Sequence, residues 1–155
     1  MSVSLGNELT PTQVKDEPKE IDWRHDGDSE TLYTLAMVDP DAPSRSNPTV
    51  SQVLHWLVVN IPVNRIVEGT TIAEYRGSGP PQGTGMHRYV FLLYKQQRRI
   101  EPEEARIGKK SRTGRLNFNI RHFAEKYNLG QPVAANYFHA QYDDYVPIMK
   151  AETTE

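Results

Sequence analysis

The run Leu32-Tyr33-Thr34-Leu35-Ala36-Met37-Val38, followed at once by Asp39-Pro40-Asp41-Ala42-Pro43-Ser44, decides the class of fold. Its first seven residues are apolar, partly β-branched and bounded by turn residues, and read as a buried strand. The prolines behind them fix φ and restrict the residues they follow, which makes a rigid loop. Two further runs repeat the signal. Val53-Leu54-His55-Trp56-Leu57-Val58-Val59-Asn60-Ile61 is stopped by Pro62, and Arg88-Tyr89-Val90-Phe91-Leu92-Leu93-Tyr94 follows. Between them lies Gly77-Ser78-Gly79-Pro80-Pro81-Gln82-Gly83-Thr84-Gly85, a loop of the kind that carries function on a rigid scaffold.

Outward from this centre the pattern thins. Leu9 to Val14 reads as an edge strand or extended segment, since Pro11 cannot donate to a central ladder. Ile21 and Trp23 suggest a second short strand, and Asp26-Gly27-Asp28-Ser29 a turn. Residues 96–117 are charged and irregular. Asn119 can cap a helix carrying Ile120, Phe123, Ala124 and Tyr127 as its apolar stripe, with Gly130 as the stop. Val133 to Tyr142 reads as a last strand, ending at Asp143-Asp144-Tyr145-Val146-Pro147. Strands outnumber helices and do not alternate with them. The fold class is therefore mostly β, a β-sandwich with a peripheral helix, in one domain across residues 1–155.

Composition excludes several classes. The chain has no cysteine, so disulfides, cysteine-ligated zinc and a thiol nucleophile are out. A formal net charge of -2 gives no global pull toward nucleic acid. Apolar runs such as Leu57-Val58-Val59 are far too short to span a bilayer. No basic-then-apolar leader opens residues 1–12. The expectation is a cytoplasmic monomer that neither inserts in a membrane nor binds nucleic acid.

Chemistry-bearing residues gather at strand ends. Asp39 and Asp41 close the first strand, His55 lies inside the second, and His87 and Arg88 open the third. Taken singly, each has a plain reading. A lone His in an apolar strand is ordinarily a core imidazole, and Asp39-Pro40-Asp41 is a turn signature. Taken together, two imidazoles and two carboxylates can line one pocket. Ring N–H groups donate to phosphate or carboxylate oxygens, with Tyr89 as a further donor. The aspartates then orient the rings and favour imidazolium, or meet an ammonium group. On that reading, anion binding weakens as pH rises through the histidine range. The same four side chains also make a plausible metal-ligand set. Arg106, Lys109, Lys110, Arg112 and Arg115 form a basic run that reads as a solvated loop face, or else as a partner-docking surface. Phosphate-loop and nucleophile-elbow motifs both fail, since Glu103 and Arg76 stand where glycine is required.

Asp39-Pro40-Asp41-Ala42-Pro43-Ser44-Arg45 resembles the first signature of the phosphatidylethanolamine-binding (Raf kinase inhibitor) family, and Gly77-Ser78-Gly79-Pro80-Pro81 through Gly85-Met86-His87-Arg88-Tyr89 its second. His55 to Asn60 resembles the strand between them. Leu9 to Val14 and Asp143 to Pro147 resemble the flanks, so the likeness runs from about residue 3 to residue 149. It implies a large central antiparallel sheet, a smaller second sheet, one or two peripheral helices and a shallow anion pocket. Carried over residue by residue, the pocket holds Asp39, Asp41, His55, Pro81, His87 and Tyr89. The implied ligands are phosphoethanolamine head groups, nucleotides and other phosphorylated groups, and the implied partners are protein kinases or proteases. The implied role is non-enzymatic, with no cofactor and no metal. Serine-protease inhibition and a metal-assisted hydrolase using the same pocket are the alternatives. Two features depart from the family. The segment from Leu5 lacks the longer stretch that usually precedes it, which would expose a sheet edge. Lys150 stands where animal members often place an aromatic residue, which bears on pocket closure and phosphate selectivity.

Overall fold

The computed structural model describes residues 2–24 and 28–154. The expected turn at Asp26–Ser29 falls partly outside them. Six strands form one mixed sheet in the order β1-β6-β5-β2-β3-β4. They are β1 (Asn7–Glu8), β2 (Leu32–Asp39), β3 (Val53–Pro62), β4 (Thr70–Ala73), β5 (His87–Lys95) and β6 (Ala134–Ala140). β1 pairs parallel to β6, and every other pair is antiparallel. Helix α1 spans Ile120–Lys126 and α2 spans Tyr145–Ala151.

β2 is flanked by β3 and β5 and covered on both faces, so every residue after Leu32 is buried. That is why its sequence is a continuous apolar run rather than an alternating one. Tyr33, Leu35 and Met37 face one core cluster, with Trp56, Tyr89 and Phe138. Ala36 and Val38 face the other, with Leu57, Val59 and the α1 residues Ile120, Phe123 and Ala124.

The mostly-β class with peripheral helices is the architecture found. The cover of the first face differs from expectation, because no second sheet forms among the described residues. Leu9, Val14, Val3, Ile21 and Trp23 pack there from an irregular N-terminal segment. Thr10–Val14 is a turn rather than a strand, with the Val14 N–H donating to the Thr10 carbonyl. Pro11 and Pro18 remove donors that a ladder would need. Ile21 and Trp23 are half-buried without strand pairing. The edge strand is β1, just ahead of the expected position. The expected end of the last strand at Asp143 to Pro147 instead opens a helix over Tyr145–Ala151. Pro147 lies in its first turn, where its missing N–H costs no intrahelical bond.

Candidate binding cavity

A cavity of about 380 Å³ opens where the end of β2, the start of β5 and the first half of β3 meet α2 and two loops. Asp39, His55, Pro81, His87 and Tyr89 all line it. The alternation of the strands explains much of this. Asp39 continues the Tyr33-Leu35-Met37 face of β2, and His87 and Tyr89 share the matching face of β5. His55 arrives differently. Met37 pairs with Trp56 but Val38 pairs with Leu54, so His55 is the extra residue of a β-bulge. A bulge re-aims a side chain next to a site. The ring meets Tyr89 edge to face, with centroids 5.2 Å apart.

His87 is held on both sides. Its Nδ1 donates to Asp39 Oδ2 at 2.8 Å. Its Nε2 lies 2.9 Å from Thr84 Oγ1, whose own proton goes to the Pro81 carbonyl. Asp39 also accepts from the Asp41 N–H at 2.7 Å and stands beside the Tyr89 hydroxyl. Burial and the neighbouring Asp39 push that phenol well above its ordinary range, so Tyr89 remains a donor.

Three expectations need correction. Asp41 does not face the cavity. Its carboxylate takes the Arg88 backbone N–H at 2.8 Å and the guanidinium at 2.8 and 2.9 Å. Burial opposes its ionisation, but these Arg88 bonds prevail and lower its pKa. His55 is not an imidazolium. Its Nδ1 lies 2.7 Å from the Arg76 carbonyl, which can only accept, so that nitrogen carries the proton. Desolvation lowers its pKa to about 4, and the ring is neutral at pH 7 with Nε2 as an acceptor. The proposed metal set does not assemble either. Among the described residues no group of three or more His, Asp or Glu side chains is placed to hold an ion.

The larger miss concerns cations. Arg76, Arg112, Arg115 and Lys150 all line the cavity, while Asp39 is its sole carboxylate among the described residues. Arg115, expected on a solvated or partner-docking loop face, is 1% exposed. Its guanidinium donates to five backbone carbonyls, of Leu54, His55, Glu74, Gly108 and Ser111. Burial lowers its pKa to about 10, which leaves it charged at neutral pH. It thus fixes the bulge at His55 and places a buried positive charge behind the cavity, with no carboxylate among the described residues bonded to it. Arg76 donates to the Thr153 hydroxyl and the Lys109 carbonyl. A signal was present in the sequence. Arg115 lies four residues before the helix cap, and its basic run is anchored to β3 through Leu54 N–H to Arg115 O at 2.8 Å. Only the fold turns that run inward.

The sequence profile described as Phosphatidylethanolamine-binding protein matches residues 2–138. A Drosophila melanogaster protein named "Putative odorant-binding protein A5" is 40% identical over 147 residues, which is 95% of this chain and 69% of that protein. The solution structure of CG7054 is 53% identical with a TM-score of 0.77, covering 100% of this chain and 87% of its own. A carboxypeptidase Y inhibitor, in the crystal structure with its cognate proteinase, is 28% identical with a TM-score of 0.71. That match covers 89% of this chain and 76% of the inhibitor.

Proposed function

The chain belongs to the phosphatidylethanolamine-binding protein family, and on that premise we propose that it is a non-enzymatic binding protein whose cavity takes a phosphate-like anion. One observation carries the reading. Four cationic side chains surround a cavity in which the single carboxylate among the described residues is already occupied by His87 and the Asp41 N–H. Such a wall is electrostatically unbalanced until an anion enters. The donors of Arg76, Arg112 and Lys150 supply hydrogen bonds that strengthen when the acceptor is charged. No serine or cysteine lines the cavity, and the Thr153 hydroxyl is engaged with Arg76 and the Met149 carbonyl rather than with a base. Binding of phosphorylated groups on signalling partners, kinases among them, is how such a pocket would act.

Titration with inorganic phosphate, followed by NMR of the His55 and Tyr89 ring signals, tests this. Saturable shifts at low-millimolar ligand are expected, reduced in Arg76→Gln. Unmoved signals from a folded protein at high ligand overturn it.

A second reading, inhibition of a serine proteinase, is favoured by the likeness to the carboxypeptidase Y inhibitor. Residual carboxypeptidase Y activity after incubation with a molar excess of the protein checks it directly.

A further inference from the structure

The cavity wall is graded in depth. Asp39, His55, His87, Tyr89 and Arg115 are buried, whereas Arg112 and Lys150 are exposed and Arg76 is half-buried between them. The two ends offer different chemistry. At the inner end, Arg115 spends its donors on carbonyls, so it contributes charge and no direct bond. At the mouth, Arg112 and Lys150 make no side-chain hydrogen bond or ion pair with any of the described residues, and Arg76 keeps donors beyond those given to Thr153 and Lys109. These three lie close enough to oppose one another's charge. Burial and then Arg112 lower the proton affinity of Arg76, and burial, Arg112 and Arg76 lower that of Lys150.

A zwitterion is poorly served by this wall. Phosphoethanolamine carries an ammonium group that needs an acceptor once it leaves water. Asp39 is the one carboxylate that the described residues bring to the wall, and it already holds His87 and the Asp41 N–H. Asp41 is turned to Arg88. Glu74, which does not line the cavity, accepts from the Lys109 N–H. An ammonium at the mouth would meet Arg76, Arg112 and Lys150 instead.

Building on the anion-binding reading above, we propose that Arg76, Arg112 and Lys150 form a second anion subsite at the cavity mouth. They make the protein selective for ligands with two linked phosphate groups over the zwitterionic phosphoethanolamine group. One phosphate occupies the inner end, where it donates its own P–OH proton to His55 Nε2 and faces the charge of Arg115, and the second bridges the three mouth cations. A cavity of about 380 Å³ has room for both.

The test is calorimetric titration at constant ionic strength with inorganic pyrophosphate, inorganic phosphate and phosphoethanolamine. Pyrophosphate is expected to bind at least about tenfold more tightly than phosphoethanolamine, the difference expected of one further charge-assisted contact. In Arg112→Gln/Lys150→Met that ratio is expected to fall below about threefold. Both side chains are exposed, so the fold is retained, as the NMR spectrum checks. A control that removes two remote exposed cations, Lys19→Met/Arg99→Gln, should keep the ratio. Equal or tighter binding of phosphoethanolamine overturns the proposal, and so does a preference that survives the mouth substitutions or vanishes in the control. If phosphate binds without any such preference, this inference alone fails. If none of the three ligands binds, the anion-binding reading fails with it.

Discussion

His55 shows how a single side chain couples site and stability. Its ring is buried at 6% exposure, with Nδ1–H tied to the Arg76 carbonyl. Desolvation lowers its pKa to about 4 from 6.5, outweighing the attraction of Asp39, with Arg115 and Arg76 adding to the fall. In the unfolded chain the same ring takes up a proton near pH 6.5, which the folded protein refuses until about pH 4. Unfolding therefore binds a proton in that window, and stability falls as pH drops through it. The loss amounts to about 3 kcal/mol at about 1.4 kcal/mol per pH unit, fully present below the lower value and absent above the higher one. Urea denaturation in phosphate-free buffer checks this. The acid limb of His55→Gln should be shallower than that of the wild type by that amount, and superimposable limbs would show that the ring is not held neutral. The result also redirects the pH dependence read from sequence. Between pH 5 and 8 the empty cavity presents a neutral His55, so an anion bonding Nε2 must bring or recruit a proton. The sequence showed a histidine in an apolar strand. It did not show that the register slips there, nor that a guanidinium would sit behind it.

At the scale of elements, the long buried strands were legible and the short ones were not. β2, β3 and β5 carry enough apolar residues to declare themselves, and α1 has both its stripe and its cap, with Asn119 Oδ1 accepting the His122 N–H at 3.0 Å. β4 is only Thr70–Ala73, and β1 only Asn7–Glu8. Each is fixed by its neighbour in the sheet rather than by periodicity. Polar side chains buried between strand ends do similar work. Gln96 follows β5, and its amide joins three elements. Its Oε1 accepts from the Thr34 hydroxyl of β2 at 2.7 Å and from the Asn60 N–H of β3 at 2.8 Å. Its Nε2 donates to Asn60 Oδ1 at 2.9 Å. Asn60 itself adopts φ 56°, a conformation asparagine tolerates better than its β-branched neighbours would. All three side chains are buried. Gln96→Leu keeps the volume but leaves the Thr34 hydroxyl and the Asn60 N–H without an acceptor. The expected cost is about 2–6 kcal/mol, since each of the two orphaned buried groups costs about 1–3 kcal/mol. Denaturation midpoints at an unchanged m-value measure it, and a loss under half a kilocalorie would mean that water or a shifted Asn60 satisfies those groups. Gln96→Glu keeps the accepting oxygen and, when protonated, a donor toward Asn60 Oδ1, so it should lose less near the acid end of the stable range.

In the whole molecule, the sheet divides two cores with unlike covers, and the cavity lies where chain segments distant in sequence close over one end. The C-terminal segment is the last to arrive. Thr12 donates its N–H and hydroxyl to Asp143 Oδ2 at 3.0 and 2.7 Å. Beyond that tie, α2 brings Met149, Lys150 and Thr153 to the cavity, and the Thr154 N–H donates to the Lys110 carbonyl at 2.8 Å. Met149 reaches so close to Gly79 that a Cβ there would collide with its methyl group. This assembly was illegible in the sequence, because α2 is only seven residues long and carries Pro147, and its basic partners lie far upstream. It also predicts a separation of stability from binding. α2 adds no strand to the sheet and buries only Val146 and Met149. A chain ending at Asp144 therefore forfeits about 1.5–3 kcal/mol for each of those two side chains. That is a fraction of the roughly 5–15 kcal/mol typical of a domain, so the sheet should still fold. What goes with α2 is the outer wall of the cavity, including Lys150 and the Thr153 anchor of Arg76. The truncated chain should give a dispersed NMR spectrum with a lowered Tm, and its affinity for inorganic pyrophosphate should fall by at least about tenfold, as loss of a charge-assisted contact implies. Undiminished affinity in a folded truncation would place the anion site elsewhere and make α2 a stabilising cover with no part in binding.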